Sequence, residues 1–213
     1  MFQSVWHFIE IKYTSGSILE VEVDGVVVIS VTGAQTSGSP SINYVTWQAD
    51  SENASLLDDV YICDQAGSSF NDYLGDVVVH SILPNGDAGT NTMTKVGGGV
   101  GHYTAVNDNP PDFDTSYLSS NTSGDKELFT LSGFPTDIID VLAVGVNILA
   151  KKSAPGVGLY QAVCVVGGVE LDSGNRSAPI QYVQTQYLLT SPPGGGTWSL
   201  SAAQNAKIGV KIP

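Results

Sequence analysis

Apolar and polar residues alternate with a period of two over the first part of the chain. In 18–23 (ILEVEV), Leu19, Val21 and Val23 alternate with Glu20 and Glu22, which predicts a strand with one face on a core and the other in water. Residues 5–13 (VWHFIEIKY) are aromatic and β-branched and predict another strand, as does 26–31 (VVVISV). Asp24-Gly25 stands between ILEVEV and VVVISV, the dipeptide that a two-residue hairpin turn favours. Further strands are predicted at 43–48, 57–63, 74–84, 127–131, 138–150, 157–166 and 181–189. One helical turn is predicted at 200–207 and a short final strand in GVKI.

Between these stretches the chain is punctuated by Gly, Pro, Asn, Asp and Ser. Residues 33–41 (GAQTSGSPS) predict a loop, 64–72 (DQAGSSFND) a linker or long turn, and NGDAGTNT a turn-rich connection. Residues 97–116 hold GGGVG and NDNPPDFD, where glycine entropy and the missing proline donor oppose regular structure. Many short strands so spaced predict an all-β fold, an antiparallel β-sandwich or jelly roll, with very little helix. Helices do not alternate with the strands, which excludes the doubly wound and barrel α/β folds. The composition divides the chain near 64–74 into two consecutive β regions, 1–66 and 67–213.

Charge narrows the function. The 213 residues carry 8 Lys and Arg against 21 Asp and Glu, a net charge of -13. Phosphate contacts need clustered cations, so nucleic acid is not an expected partner, and an anionic membrane is excluded on the same ground. No apolar run is long enough for a membrane-spanning helix. The opening MFQSVWHFIEIKYTSG has no basic region, and Glu10 interrupts its apolar stretch, so it does not read as a secretion signal. Cys63 (in VYICD) and Cys164 (in QAVCVV) are expected to be buried, reduced thiols.

No catalytic constellation is evident. Asp58 and Asp59 are adjacent and would point to opposite faces of a strand. Asn107-Asp108-Asn109 with Asp112 and Asp114 offers the hard oxygen ligands of Ca²⁺. The spacing is not that of an EF-hand, and the two prolines more simply mark an extended loop. Three tryptophans could serve as sugar-stacking platforms. Trp6, flanked by Val5 and Phe8, is expected in a core, and Trp47, alternating with Val45, is expected to pack. Trp198, after Pro-Pro-Gly-Gly-Gly, is expected to be the most exposed. Trp198, Tyr103 and Tyr117 are therefore the candidates for glycan contact.

A family resemblance adds to this. Trp6-His7-Phe8-Ile9-Glu10, Ser15-Gly16-Ser17, the acidic-alternating strand ending in Val23-Asp24-Gly25, and Leu57-Asp58-Asp59-Val60-Tyr61 resemble the C-terminal portion of a concanavalin A-like (laminin-G-like) jelly roll. Residues 58–87 resemble a stretch of structural proteins of tailed bacteriophages, in which the jelly roll ends and a second β region begins with a Leu-Gly-Asp strand. The resemblance continues in order through Tyr117-Leu118-Ser119-Ser120, Gly124-Asp125-Lys126-Glu127-Leu128-Phe129, Ala143-Val144, Lys151-Lys152, Thr197-Trp198 and Gly209-Val210-Lys211. In such relatives the jelly roll begins well before the tryptophan, whereas Met1 lies five residues ahead of Trp6. A second layer is therefore expected from residues 70–213, a neighbouring subunit or another virion protein.

The resemblance implies a non-enzymatic virion structural protein, a capsid-decorating (cement) protein or a tail or fibre component, assembled in the host cytoplasm. Its expected partners are other virion proteins and further copies of itself, a trimer being favoured. The alternative expectation is a carbohydrate-binding module that recognises host glycan. A glycosidase would need two carboxylates facing one cleft, and no such pair is evident.

Overall fold

The structure, a computed structural model, describes residues 6–33, 45–46, 56–63 and 69–213. All of the predicted strand at 43–48 except residues 45–46, which form no strand, lies outside the described residues, as do Trp47 and most of the predicted loop at 33–41. The fold is all-β, with several antiparallel sheets, a single 3-10 turn and one short helix among the described residues. No helix among them is long and apolar enough to cross a membrane. The chain divides into two compact units, 1–79 and 80–213. Sequence composition placed the boundary at 66/67. Residues 72–79 go with the first unit because Asp72, Leu74, Gly75 and Val79 are hydrogen-bonded to Lys12, Glu10 and Asp59.

The first unit is built on a three-stranded antiparallel sheet, β1 (Ile9–Thr14), β2 (Ile18–Val23) and β3 (Val26–Thr32), in that order. Asp24 and Gly25 join β2 to β3 with φ of 52° and 74°, the doubly positive geometry of a type I′ hairpin. Asp24 also receives the Phe8 N–H on its side chain and contacts His7 Nδ1 at 2.7 Å. The turn thereby fastens the start of β1. Residues 57–63 and 74–83 form no strand. Their apolar residues are largely exposed and pair with no ladder, so β-propensity alone does not order them.

The second unit holds a larger sheet of β10 (Val169–Asp172), β9 (Leu159–Val166), β13 (Lys207–Lys211), β7 (Lys126–Leu131) and β4 (Pro84–Asn91), in that spatial order, with β11 (Arg176–Ser177) also paired to β9. β4 is PNGDAGTN, which the sequence predicts as turns. It becomes a strand because β7 offers it a partner edge, with two irregularities in register that accommodate its glycines and proline. Two ribbons complete the unit: β8 (Val144–Ala150) with β12 (Val183–Leu189), and β5 (Thr94–Val96) with β6 (Tyr117–Ser119). The 3-10 turn His102–Ala105 interrupts the stretch predicted to be irregular.

The core of this unit gathers Val146, Ala162, Cys164, Leu189, Trp198, Ala203 and Ala206 from β8, β9, β12 and the short helix α1 (Leu200–Gln204). Ser199 caps α1, its hydroxyl accepting the Ala202 N–H at 3.1 Å. The tryptophan expectations are reversed. Trp198 is 3% exposed and donates its indole N–H to the Leu189 carbonyl at 2.9 Å, whereas Trp6 is 66% exposed. Trp198 is drawn inward by its place immediately before α1, which closes over the β8–β12 ribbon. Trp6 precedes the first ladder residue of β1 and so stands outside its pairing. Cys164 is buried as expected, but Cys63 is exposed, because the run that carries it is not a strand.

Candidate assembly surface and polar clusters

In an antiparallel sheet, directly paired residues project to the same face. The registers of β1, β2 and β3 therefore sort their side chains into rungs. One face carries Ile9–Val23–Val26, Ile11–Val21–Ile29 and Tyr13–Leu19–Val31. The other carries Glu10–Glu22–Val27, Lys12–Glu20–Ser30 and Thr14–Ile18–Thr32. A register shift between Val21 and Glu22 leaves Val28 as the extra residue of a bulge. The first face carries eight aliphatic side chains and the ring of Tyr13. Ile9, Ile11, Val26, Ile29 and Val31 on it are exposed, and all seven residues of β3 are exposed. Among the described residues of the first unit there is no second sheet.

The polar face is organised around Glu10, a buried carboxylate. Its Oε1 accepts the N–H groups of Leu74 at 2.7 Å and Gly75 at 3.0 Å, and the hydroxyl of Tyr61 donates to the same oxygen. Burial, reinforced by this hydrogen bond to an anion, pushes the Tyr61 hydroxyl far above its ordinary range. Next to it, Lys12 donates to Asp72 at 2.7 Å and lies over the Tyr73 ring, 5.4 Å from its centroid. The hydrogen bond raises the Lys12 ammonium and lowers the Asp72 carboxyl from their usual values, and burial pushes Tyr73 up to about 12. Tyr61 and residues 72–75 are thus tied to the polar face.

In the second unit the most buried polar group is Glu127, 0% exposed on β7. It accepts from Asn91 Nδ2 at 2.6 Å and the Met93 N–H at 2.8 Å, and His102 Nδ1 lies 3.1 Å from each of its oxygens. Asp87 on β4 accepts the N–H groups of His102 and Tyr103 at 2.9 and 2.8 Å. Two carboxylates thus join β4, β7 and the 3-10 turn. Neither Glu10 nor Glu127 stood out in the sequence, where each reads as the polar member of an alternating strand.

The chain matches no known protein family, no curated protein and no solved structure.

The glycan candidates are not brought together as one platform. Trp198 lies in the core, while Tyr103 and Tyr117 are half-buried on neighbouring elements, the 3-10 turn and β6. A cleft of about 350 Å³ lies near β6, lined by Thr94, Ser119, Ser120, Asn121 and Ser153. It offers hydroxyls and an amide, with no aromatic ring in its wall.

The acidic loop is engaged with protein. Asp108 and Asp112 converge on the Ser116 hydroxyl, each at 3.0 Å, and Asp112 also takes the Ser116 N–H. Asp114 instead receives Lys151 and, at 2.9 Å, the Tyr182 hydroxyl, which hold its carboxyl below the usual range. Among the described residues no group of three His, Cys, Asp or Glu side chains is placed to share a metal ion. Asp58 and Asp59 occupy irregular backbone, with Asp59 accepting the Val79 N–H at 2.8 Å.

Proposed function

We propose that this chain is a non-enzymatic structural protein of a bacteriophage virion, a capsid-decorating (cement) protein or a tail or fibre component, that acts through protein–protein contacts. The observation that carries the assembly part is the apolar face of β1–β2–β3. Eight aliphatic side chains and the ring of Tyr13, in three rungs, form one face of the sheet, and five of them are exposed. An apolar patch of this regularity is costly in water and marks a surface that meets protein. The virion part rests on the resemblance to tailed-phage structural proteins. The charge of -13 supports the same reading, since it keeps subunits apart and soluble until a contact through uncharged surface forms.

Buried Trp198 takes from the glycan-binding alternative its strongest stacking residue, and no observation favours that alternative over assembly. Gold-labelled antibody and electron microscopy of purified particles, together with the lysate they come from, test the proposal. Label at regular positions on capsid or tail is expected. A chain confined to the particle-free lysate would contradict it.

A further inference from the structure

We propose that the second unit binds a neutral carbohydrate, at a site made of the Phe113–Tyr182 ring pair and the hydroxyl-lined cleft beside β6. This site is built from other residues than the β1–β2–β3 face and does not rest on the assembly reading.

Phe113 stands in a strained conformation. Its φ is 58°, in the left-handed region that a bulky residue rarely adopts. Burial does not offset the strain, since Phe113 is 51% exposed and meets Tyr182 edge-on, with ring centroids 5.2 Å apart and planes at 60°. Glycine would occupy this backbone position at less cost. A large ring kept there, half in water, is a ring held out for a ligand.

The groups around the ring are fixed by one another. Lys151 Nζ lies 4.5 Å from the centroid of Tyr182, and both Lys151 and the Tyr182 hydroxyl donate to Oδ1 of Asp114. Oδ2 of Asp114 has no protein partner among the described residues. Asp114 directly follows Phe113, so an exposed ring and an open acceptor stand side by side. Two stretches of chain lead from there to the cleft, 114–119 and 151–153, since Ser119 and Ser153 line it. The Cα atoms of Lys151 and Ser153 are no more than about 7.6 Å apart. In the cleft wall the hydroxyls of Thr94, Ser119 and Ser153 make no hydrogen bond to protein among the described residues.

This chemistry selects the ligand. A pyranose presents a face of C–H groups that stacks on an aromatic ring, and a rim of hydroxyls that donate to a carboxylate and exchange hydrogen bonds with Ser, Thr and Asn. The cleft, of about 350 Å³, lies within the ~300–1,000 Å³ of small-molecule sites. Charged ligands are not favoured, because Lys151 balances Asp114 and the cleft wall holds no charged residue. An apolar side chain of a protein partner would cover Phe113 but would strip water from Asp114 Oδ2 without replacing its hydrogen bonds.

Saturation-transfer NMR of the full chain tests the site. The probes are glucose, galactose, mannose, maltose, cellobiose and lactose at about 1 to about 10 mM, with glucuronate and glucosamine as charged controls. Transfer to the C–H protons of at least one neutral sugar is expected, and weaker transfer to the charged ones. Phe113→Gly is expected to lose that transfer while its thermal midpoint does not fall, because glycine accepts a φ of 58°. Ser119→Val, in the cleft, is expected to weaken the transfer, and Ile139→Ala, at an apolar residue 99% exposed elsewhere, to leave it unchanged. Circular dichroism checks that each variant keeps its sheets.

No transfer to any neutral sugar, equal transfer to the charged ones, or a full response in Phe113→Gly or Ser119→Val would each overturn the site. So would an equal loss in Ile139→Ala, which would mark a non-specific apolar contact. A lowered midpoint in Phe113→Gly would show that the ring is held for packing, and would overturn it as well.

Discussion

Glu127 is a carboxylate with no access to water, and its stability depends on the donors around it. Asn91 ends β4, Met93 lies in the short link to β5 and His102 opens the 3-10 turn, so the side chain clasps the β4–β5 connection to that turn. Glu127→Ala leaves the Met93 N–H and the Asn91 amide facing a void, and is expected to cost about 3 kcal/mol or more of unfolding free energy, measured by urea denaturation. A loss below about 1 kcal/mol would show that water serves those donors equally well. Cysteine chemistry divides at the same scale. Burial raises the Cys164 thiol to about 11, which leaves little thiolate at neutral pH, whereas Cys63 is exposed. Iodoacetamide at pH 8 is expected to label Cys63 and spare Cys164 in the native chain, and mass spectrometry of the digested protein reads the ratio. Equal labelling would contradict the burial of β9.

At the scale of elements, close approach of backbones decides where side chains are allowed. Gly209 sits in β13 between Leu128 of β7 and Val163 of β9, and a Cβ there would fall 1.8 Å from the Glu127 carbonyl oxygen. Gly209→Ala is therefore expected to destabilise the second unit by at least about 2 kcal/mol, seen as a fall in its thermal midpoint. An unchanged midpoint would mean that the two strands separate without cost.

The same scale shows what the sequence made legible. The hairpin from β2 to β3 was readable because its pattern and its turn chemistry agree locally: Glu20 and Glu22 set the alternation, and Asp24-Gly25 supplies the positive φ values. Likewise β7, β9 and β12 lie inside runs whose β-branched and aromatic content announces them. PNGDAGTN gave no such signal, since β4 exists only because β7 presents an edge to it. Trp6 and Trp198 exchanged places for a related reason. Burial is a property of the layer a side chain meets, and flanking residues do not reveal whether that layer exists. Of the apolar face of β1–β2–β3, the alternation of β2 is visible in sequence, but the rung-by-rung match across three strands needs the register.

At the scale of the whole molecule, the excess of acid makes the few ion pairs informative. Lys126, helped by Lys211, lowers the Glu170 carboxyl, and Lys211 with the Gly174 N–H lowers Asp172. A folded-state value below the unfolded one stabilises the protein above the unfolded value, here 3.8 for Asp and 4.5 for Glu, and that stability fades as pH falls through the lowered value. Lys211 is raised by the same partners, so its contribution is present below 10.5 and is lost as pH rises through its raised value. These pairs are partly solvated, so each is worth under about 1 kcal/mol. Thermal unfolding of Lys211→Met is expected to fall below the wild type at pH 6, with the gap narrowing as pH drops toward 3. A constant gap at both pH values would mean that the lysine acts through packing alone.

The central claim is that the β1–β2–β3 face is a protein contact surface. Hydrogen–deuterium exchange of residues 26–32, compared between the dilute isolated chain and purified particles that contain it, tests this most directly. Rapid exchange of the unpaired β3 amides is expected in the isolated chain and strong slowing in the particle, with the peptides of β9 and β13 unchanged. Identical exchange of β3 in the two states would contradict it.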